Sequence, residues 1–227
     1  MSIATIADLF HALIRTKESS QVRKILADIG DSSDVEIEQP FGPLGVQWHA
    51  FSDNLSNVSS IGLGTKPGRS LTERVTNAMD AVLEARVPVG VTNLPTSCRQ
   101  AAKQWFGRPI TGPDDGLFRW KYGDSDYDRL IDVVMLPSGM ETAPTVDVLD
   151  KGIGLEPDEF PSTILSLQRG NKLKKLHLIG AFGQGGAATL SFSDYALVVS
   201  RHKEKPEVVG FTLIRVLSLS DLFKEDA

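Results

Sequence analysis

The sequence predicts an α/β two-layer sandwich, with helices covering one face of a sheet. Three observations lead there. Apolar residues recur at helical spacing over 6–29 and again over 71–85. Alternating, β-branched runs mark strands at 131–136 and 145–149. Two further strands, 195–201 and 208–217, flank a polar turn at 202–207. Strands interleaved with helices pack as a sheet with helices laid against it.

The elements follow in order. Residues 6–29 carry Leu9, Leu13 and Ile14, then Val22, Ile25, Leu26 and Ile29, and Gly30 stops the helix. The run 41–51 is extended, with Val46, Trp48 and Ala50 alternating. Residues 62–70, GLGTKPGRS, form a Gly- and Pro-rich loop, and Ser70 or Thr72 caps the helix 71–85. A further helix is expected at 99–106, an exposed polar stretch at 114–128 and a short helix at 157–167. Residues 170–177 are polar and basic, and 183–193 turn from a Gly-rich loop into a helix.

With 227 residues, 41% hydrophobic and 23% charged, the chain suits one large domain or one domain with an insertion. A net charge of -5 argues against a generally basic, nucleic-acid-coating surface. No apolar run approaches the ~18 residues of a membrane span, and the N-terminus lacks a signal pattern. Cys98 is the single cysteine, so an internal disulfide is excluded and a reducing, cytoplasmic setting is expected. Without a partner motif, Cys98 reads as an inert thiol.

Three segments carry chemistry. In LTERVTNAMDAVLEA (71–85), a rotation of ~100° per residue puts Glu73, Asn77 and Asp80 on one stripe. Leu71, Val75, Ala78 and Val82 centre on the other side. A solvated polar face is the competing reading, although Asn77 is unusual in a merely solvated helix interior. In TVDVLDKGIGL (145–155), an alternating strand ends in Asp150, followed by Gly152 and Gly154. A strand-end carboxylate can accept a hydrogen bond from an exocyclic amine, and glycines let a flat ring approach. An Asp-initiated turn explains the same residues equally well. In GAFGQGGAATLSF (180–192), Gly180, Gly183, Gly185 and Gly186 precede a helix start, where free N–H groups can converge on an anion. Neither a dinucleotide fingerprint nor a P-loop fits: no clean strand precedes the glycines and no Lys-Ser or Lys-Thr pair follows them.

Together and in order, these segments resemble the GHKL superfamily of gyrase, heat-shock chaperone, histidine kinase and MutL ATPases. Glu73-x-x-x-Asn77-x-x-Asp80-Ala81 is similar to its N-box, and Asp150-x-Gly152-x-Gly154 to its first glycine box. Gly180-x-x-Gly183-x-Gly185-Gly186, continuing to Thr189, is similar to its second. The likeness spans about 71–201 and is nearest to MutL, MORC-like and chaperone ATPases.

The resemblance implies a Bergerat-type ATP-binding fold, a mixed sheet with helices on one face, and ATP with Mg²⁺ as ligands. Asp150 would bind the adenine amine, with Thr189 near the same edge. Asn77 would coordinate Mg²⁺, which keeps much of its water and needs sparse protein ligation. Asp80 would help hold the hydrated ion and the nearby ribose or phosphates, and Glu73 would be the general base for the attacking water. Backbone N–H groups at Phe182, Gly183, Gln184, Gly185 and Gly186 would hold the phosphates. Residues 166–179 would form a lid whose Arg169, Lys172, Lys174 and Lys175 neutralise phosphate charge, a solvated loop being the alternative.

Further expectations follow from the same likeness. Residues 1–30 form a helical arm. The roughly seventy positions between Asp80 and Asp150 imply an insertion at 88–144. The chain is expected to be the N-terminal fragment of a longer protein, with a following domain or partner supplying a phosphate-contacting lysine. The preferred activity is Mg-dependent ATP hydrolysis driving an ATP-gated homodimer switch. An ATP-gated scaffold with little turnover, a protein kinase of the anti-sigma or histidine-kinase branch, and a structural α/β interaction domain are the alternatives. A DNA-linked or anti-phage defence role accords with such relatives, while the acidic charge gives DNA binding by this segment no support.

Overall fold

The computed structural model describes residues 3–32, 37–50, 67–106, 130–138, 143–165, 175–179 and 192–215. Within them the fold is mixed α/β. Helix α1, Ile6–Leu13, starts at a closed capping box. Thr5 Oγ1 accepts the Asp8 N–H at 3.1 Å and Asp8 Oδ2 accepts the Thr5 N–H at 3.0 Å. The Thr5 hydroxyl, more than any other neighbour, holds the Asp8 carboxyl below its ordinary pKa.

Helix α2, Ser19–Asp28, is separate from α1, so the single helix expected over 6–29 is broken. Packing explains the break. Leu13 and Val22 are nine positions apart, which puts them about half a turn out of phase on one continuous helix. Interrupting the helix lets Leu9, Leu13, Val22, Leu26 and Ile29 reach one core. At the break, Thr16 Oγ1 donates to the Leu13 carbonyl at 2.7 Å, and Gln21 Oε1 accepts the Lys17 N–H at 2.7 Å.

The extended run at 41–51 is a short antiparallel pair, β1 (Pro40–Phe41) and β2 (Val46–Gln47). Helix α3 is Pro67–Glu84. It begins earlier than expected, since proline is pre-shaped for a first helical turn. Ser70 is therefore buried inside the helix rather than capping it, and Thr72 Oγ1 donates back to the Gly68 carbonyl at 2.9 Å. Helix α4, Cys98–Phe106, follows its expectation closely.

Strands β3 (Ile131–Leu136) and β4 (Thr145–Asp150) pair antiparallel, with Ile131 opposite Asp150 and Leu136 opposite Thr145. A 3-10 turn at Pro157–Glu159 replaces the helix expected over 157–167. Pro161 has no N–H to offer, and the hydroxyls of Ser162 and Thr163 take the Glu159 carbonyl, at 3.2 and 2.5 Å. Strands β5 (Tyr195–Ser200) and β6 (Gly210–Arg215) form an antiparallel hairpin. Among the described residues the strands lie in three two-stranded sheets.

Two packing centres hold these pieces. In one, α1 and α2 cover the hairpin face that carries Tyr195, Leu197, Phe211 and Leu213. In the other, Val82 and Leu83 of α3 meet Ala101 and Phe106 of α4, Leu178, and Ile131 of β3. The far face of the hairpin meets the chain after β4: Leu155 N–H donates to Ser200 Oγ at 2.8 Å. A Cβ at Gly210 would lie 3.0 Å from Pro157 and 3.1 Å from Phe160. No described helix is long and apolar enough to cross a membrane.

Candidate functional site

Helix α3 supplies the first wall of the site. Glu73, Asn77 and Ala81 follow one another at i, i+4 and i+8, so they form a slowly turning stripe along one side. Glu73 is half-buried and Asn77 exposed. Asp80 lies on the same side, about 20° from Glu73 and 60° from Asn77, yet it is 1% exposed. Its Oδ1 accepts the Ile179 N–H at 2.6 Å. The structure thus turns Asp80 inward, toward backbone, whereas the resemblance implied a hydrated ion as its neighbour.

The end of β4 supplies the second wall, and it seats directly on α3. Ile153 N–H donates to the Ala81 carbonyl at 3.0 Å. A Cβ at Gly152 would meet the Ala81 Cβ at 2.4 Å. Gly154 has φ +69, and a Cβ there would fall 2.0 Å from the Arg201 carbonyl oxygen. Both glycines are therefore demanded by protein neighbours, a helix in one case and the hairpin backbone in the other. Lys203 ties the far side: its N–H donates to the Ile153 carbonyl at 2.8 Å and its Nζ to the Ala85 carbonyl at 3.1 Å.

Asp150 closes the strand as an Asx turn, with Oδ1 accepting the Gly152 N–H at 2.8 Å. The turn-forming reading of this residue is thus realised, and it engages one of the two carboxylate oxygens. Burial raises the Asp150 pKa above the ordinary carboxylate value, and the Gly152 hydrogen bond opposes that rise.

The structure therefore brings Asp150 and Gly152 to α3 beside Ala81, one turn from Asn77 and two from Glu73. Gly180, Phe182, Gly183, Gln184, Gly185, Gly186, Thr189 and Lys172 lie outside the described residues. Of the expected lid, 175–179 are described. Lys175 Nζ is paired with Glu84 of α3 there, a partner that sequence did not supply.

Residues that sequence reasoning passed over stand close by. His177 is 2% exposed and edge-on to the Trp105 ring, with centroids 5.5 Å apart. Among the described residues neither of its ring nitrogens has a hydrogen-bond partner, nor does Trp105 Nε1. Burial pulls the His177 pKa below its ordinary value; Glu84 and Asp80 oppose this and Lys175 adds to it. The one available signal was local: His177 sits between Leu176 and Leu178 in an otherwise basic run.

Among the described residues no group of three or more His, Cys, Asp or Glu is placed to hold a metal ion. No protein family matches the chain, and no curated protein matches it to a significant degree.

Proposed function

We propose that the chain binds ATP with Mg²⁺ in a GHKL-type pocket of Bergerat architecture and hydrolyses it, and that nucleotide binding gates the pairing of two copies. One observation carries this reading: the strand end bearing Asp150 is seated on Ala81, on the α3 stripe that also bears Asn77 and Glu73. Residues seventy positions apart in the chain thus share one wall in the order that the motif resemblance requires.

The residues present fit the ligands. Asp150 keeps an oxygen beyond its turn hydrogen bond, and an exocyclic amine is the complementary donor. Asn77 offers one amide oxygen, and a magnesium ion there would take its remaining ligands from phosphate oxygens and water. Bound in that way, the ion supplies charge neutralisation for the triphosphate. Glu73, two turns before Ala81, is the group on this wall able to orient a water and take its proton. Gly152 and Gly154 hold the wall together, and Asp80 fixes the chain that leads into the second glycine run.

The test is calorimetric titration of ATP, with and without Mg²⁺, into the wild type and Asp150→Asn. Removing a charged acceptor should weaken binding about 10- to 100-fold. A thermal melt of each variant, alongside the titration, separates this loss from misfolding. Because the folded-state pKa of Asp150 is raised, the folded protein holds more protons than the unfolded chain just above the ordinary carboxylate value. Stability contributed by this group therefore falls as pH rises through that window, and an uncharged Asn should fold at neutral pH at least as well. Glu73→Ala should keep binding while phosphate release drops about 10²- to 10⁴-fold. Equal ATP affinity in wild type and Asp150→Asn, or unchanged turnover in Glu73→Ala, would remove that residue from the site.

A further inference from the structure

We propose that His177 is a positioning residue: while uncharged it clamps residues 175–179 onto α3 at the entrance to the second glycine run, and gaining a proton releases them. The clamp is described by contacts of the protein alone; its bearing on phosphate binding rests on the proposed function.

Two polar ties hold the segment, and they sit one helical turn apart. Asp80 accepts the Ile179 N–H at 2.6 Å, and Glu84 pairs with Lys175. As i and i+4 residues, Asp80 and Glu84 share one face of α3. Between these ties Leu178 is buried against Val82, Leu83, Ala101 and Phe106. His177 completes the clamp from the side of α4, its ring in a T-shaped contact with Trp105. Ile179 is followed at once by Gly180, and Asp80 is followed at once by Ala81, where the Asp150 strand end rests. Whatever holds 175–179 therefore fixes the residue that precedes the second glycine run against the helix on which the Asp150 strand end rests.

The chemistry of His177 makes this clamp conditional. A buried polar group without a partner is rare in folded proteins and calls for an explanation. A neutral imidazole tolerates such a place, but an imidazolium needs acceptors on both nitrogens. The indole packed beside the ring offers no acceptor, since its N–H can only donate. The charges acting on the ring are Glu84 and Asp80 from α3 and Lys175 from its own segment. The two carboxylates favour the proton, but both already serve the ties just described.

The direction of the pH effect follows. Above about pH 6.5 the histidine is neutral whether held or released. Below that value the released segment takes a proton that the held segment refuses. From pH 7.5 to 5.5 the balance should move toward release, by at most about tenfold.

Amide hydrogen exchange on the full chain without nucleotide reads the clamp directly. Protection factors at 176–179, corrected for intrinsic exchange, should fall by up to about tenfold over that pH range in the wild type and stay level in His177→Phe. Level protection in the wild type, or the same fall in both proteins, overturns the proposal. Should His177→Phe not fold, the ring protons of His177 in the wild type decide: titration well below the ordinary histidine value supports the clamp, and titration at that value overturns it. The coupling is read from ATP affinity. As pH falls, the wild type should lose more affinity than His177→Phe by the factor by which its held fraction, read from exchange, falls, and any other difference overturns the positioning role. Failure of both proteins to bind ATP at pH 7.5 counts against the proposed function, while the exchange result decides the clamp.

Discussion

The two packing centres differ in what they bury. Around α1 and α2 the buried residues are Leu9, Leu13, Val22, Leu26 and Ile29, all apolar, and the enclosed Asp31 carboxylate beside them is paired with Trp48 and Arg215. Around α3 the apolar set of Val82, Leu83, Ala101, Phe106 and Leu178 is accompanied by Ser70, Asp80 and His177. Those three are the buried polar or charged residues among the described ones, and each lies on α3 or on the segment clamped to it. Burying a polar group lowers stability unless it is paired. Of the three, His177 lacks a partner among the described residues, so the first centre reads as structural, while the second gives up stability at that one ring.

Mutations on either side of this divide should separate the two roles. The largest effect on stability is expected from Leu26→Ala in the first centre, at about 2–5 kcal/mol by urea denaturation. ATP affinity of the folded fraction should be unchanged. A drop in affinity parallel to the loss of stability would erase the distinction between the centres. Gly152→Ala should lower stability by about 1–3 kcal/mol, because its methyl group overlaps Ala81. Unlike Leu26→Ala, it should also weaken ATP binding, since it pushes Asp150 away from α3; calorimetry that finds native affinity would show that this seat is not part of a nucleotide site. The smallest change is expected from Thr5→Ala, which removes one cap of α1 at about 1 kcal/mol and leaves ATP binding untouched. A cap contribution near zero would indicate that α1 is held by its packing on Phe211 and its neighbours rather than by its start signal.

Where local rules were sufficient, the elements were legible in advance. The alternation in 131–136 and 145–149 foretold β3 and β4, and the polar turn between 201 and 208 foretold the hairpin of β5 and β6. Tertiary needs overrode local signals elsewhere. The phase conflict between Leu13 and Val22 split one expected helix into two, and Ser70, a plausible cap by type, was absorbed into α3. The candidate site was legible in part. The carboxylate, amide and strand-end aspartate stood out by residue type and spacing, but the inward turn of Asp80 and the pairing of Lys175 with Glu84 depend on a segment nearly a hundred residues away.

Sequence alone determined the periodicities: which stretches are strands, which face of 71–85 is apolar, and where glycine punctuates the chain. These are properties of near neighbours, set by backbone geometry and side-chain alternation. Only the tertiary structure decided that Gly152 is pressed on Ala81, that Gly154 gives way to the Arg201 carbonyl, and that His177 is enclosed without a partner. Contacts of that kind arise when distant segments compete for the same volume, and close packing admits one solution that local preference does not encode.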